Sequence, residues 1–213
     1  MKITIFGATG LVGKQVVRRA LAEGYSVLAF GRNIEQFLDL AARNKNLEVV
    51  KGYVFDESEV LNAVKGSDAV ISTLGGSFDG KDKTRSLGIK NIVVQMKNAG
   101  VKRIIALGGM GLLNDGENGL LMDSPDYPEM YKPVGKEHLQ AYQYLADSDL
   151  DWTFVCAPDI IDDDANQKYT TKADYLPEQN CFRISSGNLA LFMVTELTQN
   201  LFVKKKVGIS NRL

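Results

Sequence analysis

Three glycines set three residues apart offer the first chemistry in this chain. Gly7, Gly10 and Gly13 lie in Gly7-Ala8-Thr9-Gly10-Leu11-Val12-Gly13, directly after the apolar run at residues 3–6. Behind them come apolar residues at helical spacing: Val12, Val16, Val17, Ala20 and Leu21. That order reads as strand, tight turn and helix. Gly7 permits the turn, Gly10 lets backbone approach a pyrophosphate, and Gly13 lets the helix pack close to the strand. The free amides and dipole of the helix start favour the phosphates. A lone glycine motif also occurs in purely structural turns. Its place here, with further strand–helix units downstream, predicts a dinucleotide held by Gly7, Thr9, Gly10, Leu11, Val12 and Gly13.

The second apolar run, residues 26–30, ends in Gly31-Arg32-Asn33. A fold that prefers NAD carries an acid here to hold the ribose hydroxyls, whereas an arginine pairs with the 2′-phosphate of NADP. Arg32 therefore predicts NADP(H), against the plainer reading of a solvated surface arginine. Other candidates follow later runs: Tyr53 and Val54, then Thr73, Leu74 and Gly75, then Gly108 and Gly109, then Pro158. His138 is the chain's one histidine. It reads as a surface helix residue by default and as a proton donor near the cofactor otherwise. Asp162-Asp163-Asp164 could suggest a cation, but adjacent carboxylates point apart and no other ligand clusters nearby, so no metal is expected. Lys204-Lys205-Lys206 reads as a solvated turn before the last strand.

The elements that position these residues alternate. Short β-branched or aromatic runs at 3–6, 26–30, 47–50, 69–72, 103–107 and 152–155 are separated by helical patterns. One helix spans 84–99, stopped by Asn98-Ala99-Gly100, and another spans 134–147 and carries His138. Such alternation requires crossovers over a parallel sheet, so the expected fold is α/β: one Rossmann domain over 1–213, doubly wound. A tail from 182 to 209 adds a strand, a helix (188–199) and a last strand, a small substrate-side extension. Two stretches interrupt the alternation: 108–133, long and loop-rich, and 159–179, polar and following the sixth strand. Both leave carboxyl ends of strands, where such sheets place their ligand.

Bulk properties narrow the partners. The 213 residues are 45% hydrophobic and 24% charged, with net charge −1. That balance suits one soluble domain and argues against nucleic acid or anionic membrane as partner. No apolar run approaches the roughly 20 residues of a membrane span, and residues 2–6 enter the glycine loop with no signal cleavage region. Cys156 and Cys181 read as reduced thiols, so the expected location is cytoplasmic. A monomer or small homo-oligomer is expected.

The glycine loop, the Gly31-Arg32 pair, Asp68-Ala69-Val70-Ile71 and Asp151-Trp152-Thr153-Phe154 resemble the atypical short-chain dehydrogenases with an NAD(P)-binding domain. Within that NmrA-like group the chain is similar to the flavin reductase/biliverdin-IXβ reductase type. Gly88-Ile89-Lys90-Asn91-Ile92-Val93 with Met96-Lys97 is close to a helix of that type, and Arg183-Ile184-Ser185 with Leu189 and Phe192-Met193 matches its tail. The resemblance covers nearly the whole chain. It implies hydride transfer from a nicotinamide to a flavin or a tetrapyrrole lying over it.

Three departures bear on the chemistry. Tyr53 follows Gly52 where the family usually has Asp, so adenine packs on Tyr53 or that tyrosine is plain surface. Gly108-Gly109 stand where the family carries a hydroxyl, and Gly109 and Gly111 would leave room for a flat ring. The family's Tyr-x-x-x-Lys is absent, since Lys136 follows Tyr131 by five. One extra residue turns a helical pair by about 100°, and Pro133 argues against a continuous helix there. Tyr131, Lys136 and His138 are thus weak catalytic candidates. A carbonyl substrate would need the missing acid, whereas a flavin takes hydride at a ring nitrogen and its proton from solvent. The expected activity is NADPH-dependent reduction of a flavin or similar flat small-molecule acceptor. The alternative is a catalytically weak dinucleotide sensor, and an epimerase is disfavoured.

Overall fold

A computed structural model describes residues 1–116, 119–178 and 180–212. The chain runs β1 (Lys2–Phe6), α1 (Leu11–Ala22), β2 (Ser26–Gly31), α2 (Leu38–Arg43), β3 (Leu47–Lys51), α3 (Glu57–Val64), β4 (Ala69–Ser72), α4 (Thr84–Ala99) and β5 (Arg103–Gly109). It continues through α5 (Lys132–Ala146), β6 (Asp151–Ala157), β7 (Asp159–Ile161), β8 (Tyr169–Ala173), β9 (Arg183–Ser185), α6 (Ser186–Gln199) and β10 (Lys205–Asn211).

Eight strands form one sheet in the order β3-β2-β1-β4-β5-β6-β10-β8. All neighbours pair parallel except β8, which closes the edge antiparallel to β10. β7 and β9 form a separate two-stranded parallel ribbon. The order reverses between β1 and β4, and that switch point opens a crevice at the strands' carboxyl ends. Alternation within β1 shows how the layers arise. Ile3 and Ile5 face the layer holding α1 and α6, while Phe6 packs with residues of α3, α4 and α5. Both faces are covered, so the central strands are apolar throughout.

The Rossmann reading of the sequence is therefore the observed fold, with local corrections. The polar stretch 159–179 contains β7 and β8: β7 is only three residues long and pairs in the ribbon with β9, and β8 is a mostly polar edge strand on β10, so neither carries the apolar signature of a buried strand. The loop 108–133 contains three short 3-10 turns. The parts of these stretches that fall on Glu117, Asn118 and Gln179 lie outside the described residues. Pro133 does not break a helix. It sits in the first turn of α5, where its missing N–H has no helical partner to lose. The triple lysine is not wholly solvated either. Lys206 is buried in β10 and donates to the Leu112 carbonyl (2.6 Å) and Asn114 Oδ1 (2.7 Å), because strand alternation turns it inward after the outward Lys205.

Candidate active site at the sheet's switch point

The glycine loop joins β1 to α1 through a backbone that few residues could adopt. Gly7 has φ +77°, and a Cβ on it would lie 2.7 Å from the Thr73 carbonyl oxygen. Thr73 tightens this junction, since its hydroxyl lies 3.1 Å from the carbonyl oxygens of both Phe6 and Gly7. Gly13 packs directly on the Gly7 carbonyl and does not line the cavity; its part is to set α1 close to β1. Gly10 differs from both. It is the N-cap of α1 with extended backbone, and a Cβ there would meet only Gly7 O at 3.4 Å. No side chain caps α1 and no acid stands in its first turn. A helix start left open, beside a glycine with free space, fits a bound pyrophosphate.

A cavity of about 1030 Å³ runs from this loop across the ends of β4, β5 and β6. Thr9, Gly10, Leu11, Val12, Arg32, Tyr53, Val54, Thr73, Leu74, Gly75, Gly108, Gly109 and Pro158 all line it. Arg32 is exposed and makes no ion pair among the described residues, so its guanidinium is free for an anion. Asn33 and Lys51 do not reach the cavity. Tyr53 is 57% exposed, with its amide fixed to Glu59 Oε2 at 2.7 Å, so its ring stands free.

The far half is walled by side chains from distant segments. Phe78, Arg85, Met110, Tyr127, Tyr131 and His138 contribute, and Ile161 and Phe182 close the opposite side. Arg85 lies in the first turn of α4, where the helix dipole opposes a cation. Its guanidinium donates to the Ser77 and Gly76 carbonyls at 2.8 and 2.9 Å and lies 5.8 Å from the Phe78 ring centre. Phe78 in turn packs on Tyr131 with ring centres 6.3 Å apart.

Of the three weak catalytic candidates, Tyr131 and His138 line the cavity and Lys136 does not. Lys136 is exposed on α5, as its spacing from Tyr131 implies. His138 is not the surface residue of the default reading. It is partly buried, and desolvation followed by the charge of Arg85 pushes its pKa down to about 3. The room expected beside Gly109 and Gly111 is also filled. A Cβ on Gly109 would lie 2.9 Å from His138 Cδ2, and one on Gly111 would lie 2.6 Å from the Tyr127 hydroxyl. These glycines admit the two rings rather than a ligand. Burial raises the Tyr127 pKa, with a smaller contribution from Tyr131.

Sequence reasoning missed Phe78, Arg85, Tyr127 and Phe182. A basic residue in an uncapped first helical turn, and aromatics in polar loops beside glycines, were the available signals. The Asp162–Asp164 run gathers no ligand set among the described residues; the Asp163 carbonyl accepts instead from the Gly187 amide and the Ser186 hydroxyl. Cys156 is buried, which pushes its thiol up to about 12, and both cysteines are free. Among the described residues no helix is long and apolar enough to cross a membrane.

Comparison with known proteins bears on the family and the fold. A family described as NAD(P)H-binding matches residues 7–200. Among solved structures, a candidate epimerase from Bacteroides thetaiotaomicron is 28% identical with TM-score 0.86, covering 100% of this chain and 97% of that one. A candidate NADH-flavin reductase from Streptococcus pneumoniae is 25% identical with TM-score 0.84, covering both chains completely (100% and 100%). An uncharacterized Bacillus subtilis protein, YwnB, is 26% identical over 73% of this chain and 70% of its own length. The chain spans 57%, 32% and 30% of three other curated relatives. With the glycine loop, the open helix start and the match from 7 to 200, this chain belongs to the NAD(P)H-binding family.

Proposed function

We propose that the chain is an NADPH-dependent oxidoreductase that reduces a flavin or a similar flat acceptor. The observation that carries this reading is the continuity of the cavity. It leads without a break from the open start of α1 to an aromatic-walled chamber beyond the ends of β5 and β6. When bound, the dihydronicotinamide supplies a hydride. The chain's own residues bind and orient. The first amides of α1 would hold the pyrophosphate, Arg32 would hold the 2′-phosphate, and Tyr53 would offer a face to adenine. Gly75, Gly108 and Pro158, with the His138 ring that fills the gap at Gly109, would border the nicotinamide, and Phe78, Tyr127, Tyr131 and Phe182 would exclude water around the acceptor.

Phe182 and Arg183 bring the C-terminal segment to the cavity wall, which supports reading that segment as the substrate side of the domain. No Tyr–Lys relay is needed, because a flavin ring nitrogen accepts hydride and solvent can supply the proton. The reading places the chain in the cytoplasm with a small-molecule partner.

Steady-state oxidation of NADPH with riboflavin, FMN and menadione as separate acceptors tests the reading. Saturable turnover with a flavin, and preference for NADPH over NADH, is the expected result. The exposed position of Lys136 favours a second reading, a dinucleotide sensor. Tight NADPH binding with no turnover on any of the three acceptors would establish it instead.

A further inference from the structure

The contact between Gly109 and His138 joins two features that the sequence keeps separate. β5 ends without a side chain at Gly109, and the imidazole from α5 lies against that gap. A Cβ on Gly109 would stand 2.9 Å from His138 Cδ2 and 3.3 Å from Nε2. The ring therefore occupies the cavity wall beside the end of β5, where a longer residue at 109 would have projected. Its two nitrogens are placed unequally. Nδ1 is buried and has no hydrogen-bond partner among the described residues. Nε2 is on the edge facing Gly109, in a residue that lines the cavity.

A neutral imidazole carries one N–H, and the environment decides which nitrogen has it. A buried N–H without an acceptor is rarer and more costly than a buried lone pair without a donor. The proton accordingly belongs on Nε2, with the Nδ1 lone pair facing the apolar side. Burial disfavours a charge on the ring, and the fixed guanidinium of Arg85 from α4, itself close to the carboxylates of Asp82 and Glu137, opposes one further.

The geometry points to His138 as a neutral hydrogen-bond donor, through Nε2–H, to a carbonyl oxygen or ring nitrogen of the acceptor bound over the end of β5. The inference rests on the proposed acceptor site and adds the residue that reads the acceptor. Such a donor aimed at a heteroatom that gains negative charge during reduction lowers the barrier without giving up its proton. It also favours acceptors that present a lone pair there over apolar rings of the same size. Arg85 has a different part. Its hydrogen bonds to the Gly76 and Ser77 carbonyls hold it in place, and its charge adds to burial in keeping the imidazole neutral.

Because the chain has a single histidine, ¹⁵N-histidine labelling gives one interpretable imidazole. In the NADP⁺-loaded wild type the expected spectrum is the Nε2–H tautomer from pH 6 to pH 8, and riboflavin should shift the Nε2 resonance. A proton on Nδ1, or a cationic ring at pH 6, would overturn the inference. In turnover, His138→Leu should lower kcat with riboflavin and with menadione by about 10- to 100-fold, with NADPH affinity within about twofold. His138→Gln, which keeps an N–H, should recover to within about fivefold. A His138→Leu protein as fast as wild type on both acceptors would also overturn it. If His138→Leu does not fold, the tautomer and the His138→Gln comparison decide. Failure of the flavin reading looks different: the wild type would then oxidise NADPH no faster with riboflavin than without. The tautomer would still decide for or against the donor.

Discussion

The two halves of the cavity are built on opposite plans. The dinucleotide half is made mostly of backbone, from Gly7 to Val12 and the ends of β2 and β4, with Arg32 as its one free cation among the described residues. The proposed acceptor half is made of side chains: Phe78 and Arg85 from around the start of α4, Tyr127, Tyr131 and His138 from before and within α5, and Phe182 from before β9. Under the proposed function the first half would bind the dinucleotide with groups that every chain possesses. The second half would distinguish acceptors, which only side chains can do.

The sharpest way to break the comparison is at Gly10. Gly10→Val adds a β-branched side chain where the only near atom is Gly7 O, so the fold should survive while the pyrophosphate loses its space. NADPH binding should fall by more than about 100-fold, on the order of 3 kcal/mol, with a thermal midpoint near wild type. Gly7→Ala should do the reverse and lower the midpoint, since φ +77° and the Thr73 carbonyl both oppose a side chain. Calorimetry and cofactor titration on the two variants separate the effects. Wild-type affinity in a folded Gly10→Val protein would remove the loop from the site.

Arg32→Ala comes next. A guanidinium pairing with a partly solvated 2′-phosphate contributes roughly 1.5 to 3 kcal/mol, which is about 10- to 150-fold in affinity. KM for NADPH should rise by that factor, while KM for NADH stays nearly unchanged. The preference should fade as salt is added. Equal weakening of both cofactors would make Arg32 a support for the loop.

In the acceptor half, pH should reach the fold through His138. Its folded pKa is about 3, whereas an unfolded histidine titrates near the ordinary 6.5. Below about pH 6.5 the unfolded chain takes up a proton that the folded chain refuses, so stability should fall as pH drops towards about 3. The slope should be on the order of 1 kcal/mol per pH unit. Urea unfolding at pH 7, 6 and 5 should show it in wild type and not in His138→Gln; identical slopes would mean that the ring is protonated in the folded protein.

The smallest effects are expected at Lys136 and Tyr131. Lys136→Ala and Tyr131→Phe should each keep turnover within about tenfold, or 1.4 kcal/mol, because the lysine lies outside the cavity and the tyrosine serves as a wall. A loss of three orders of magnitude in either variant would put a proton relay back into the site.

Much of this was legible in the order of residues, and the reason is locality. The turn at Gly7, the open helix start at Gly10 and the arginine after β2 depend on neighbours in sequence, so spacing alone placed them. Strand–helix alternation dictated a parallel sheet because each crossover must return over a sheet face. The acceptor half was not legible in the same way. Gly108 and Gly109 read as a missing hydroxyl and an open space. The structure shows that Gly108 makes room for the Phe154 ring and Gly109 for His138, from β6 and α5. Edge pairing of β7 with β9 and of β8 with β10, and the inward turn of Lys206, likewise depend on partners far along the chain. Local spacing carries backbone conformation and the periodicity of burial. Which side chain fills a gap twenty-nine residues away, as His138 does at Gly109, is decided only when the helices pack on the sheet.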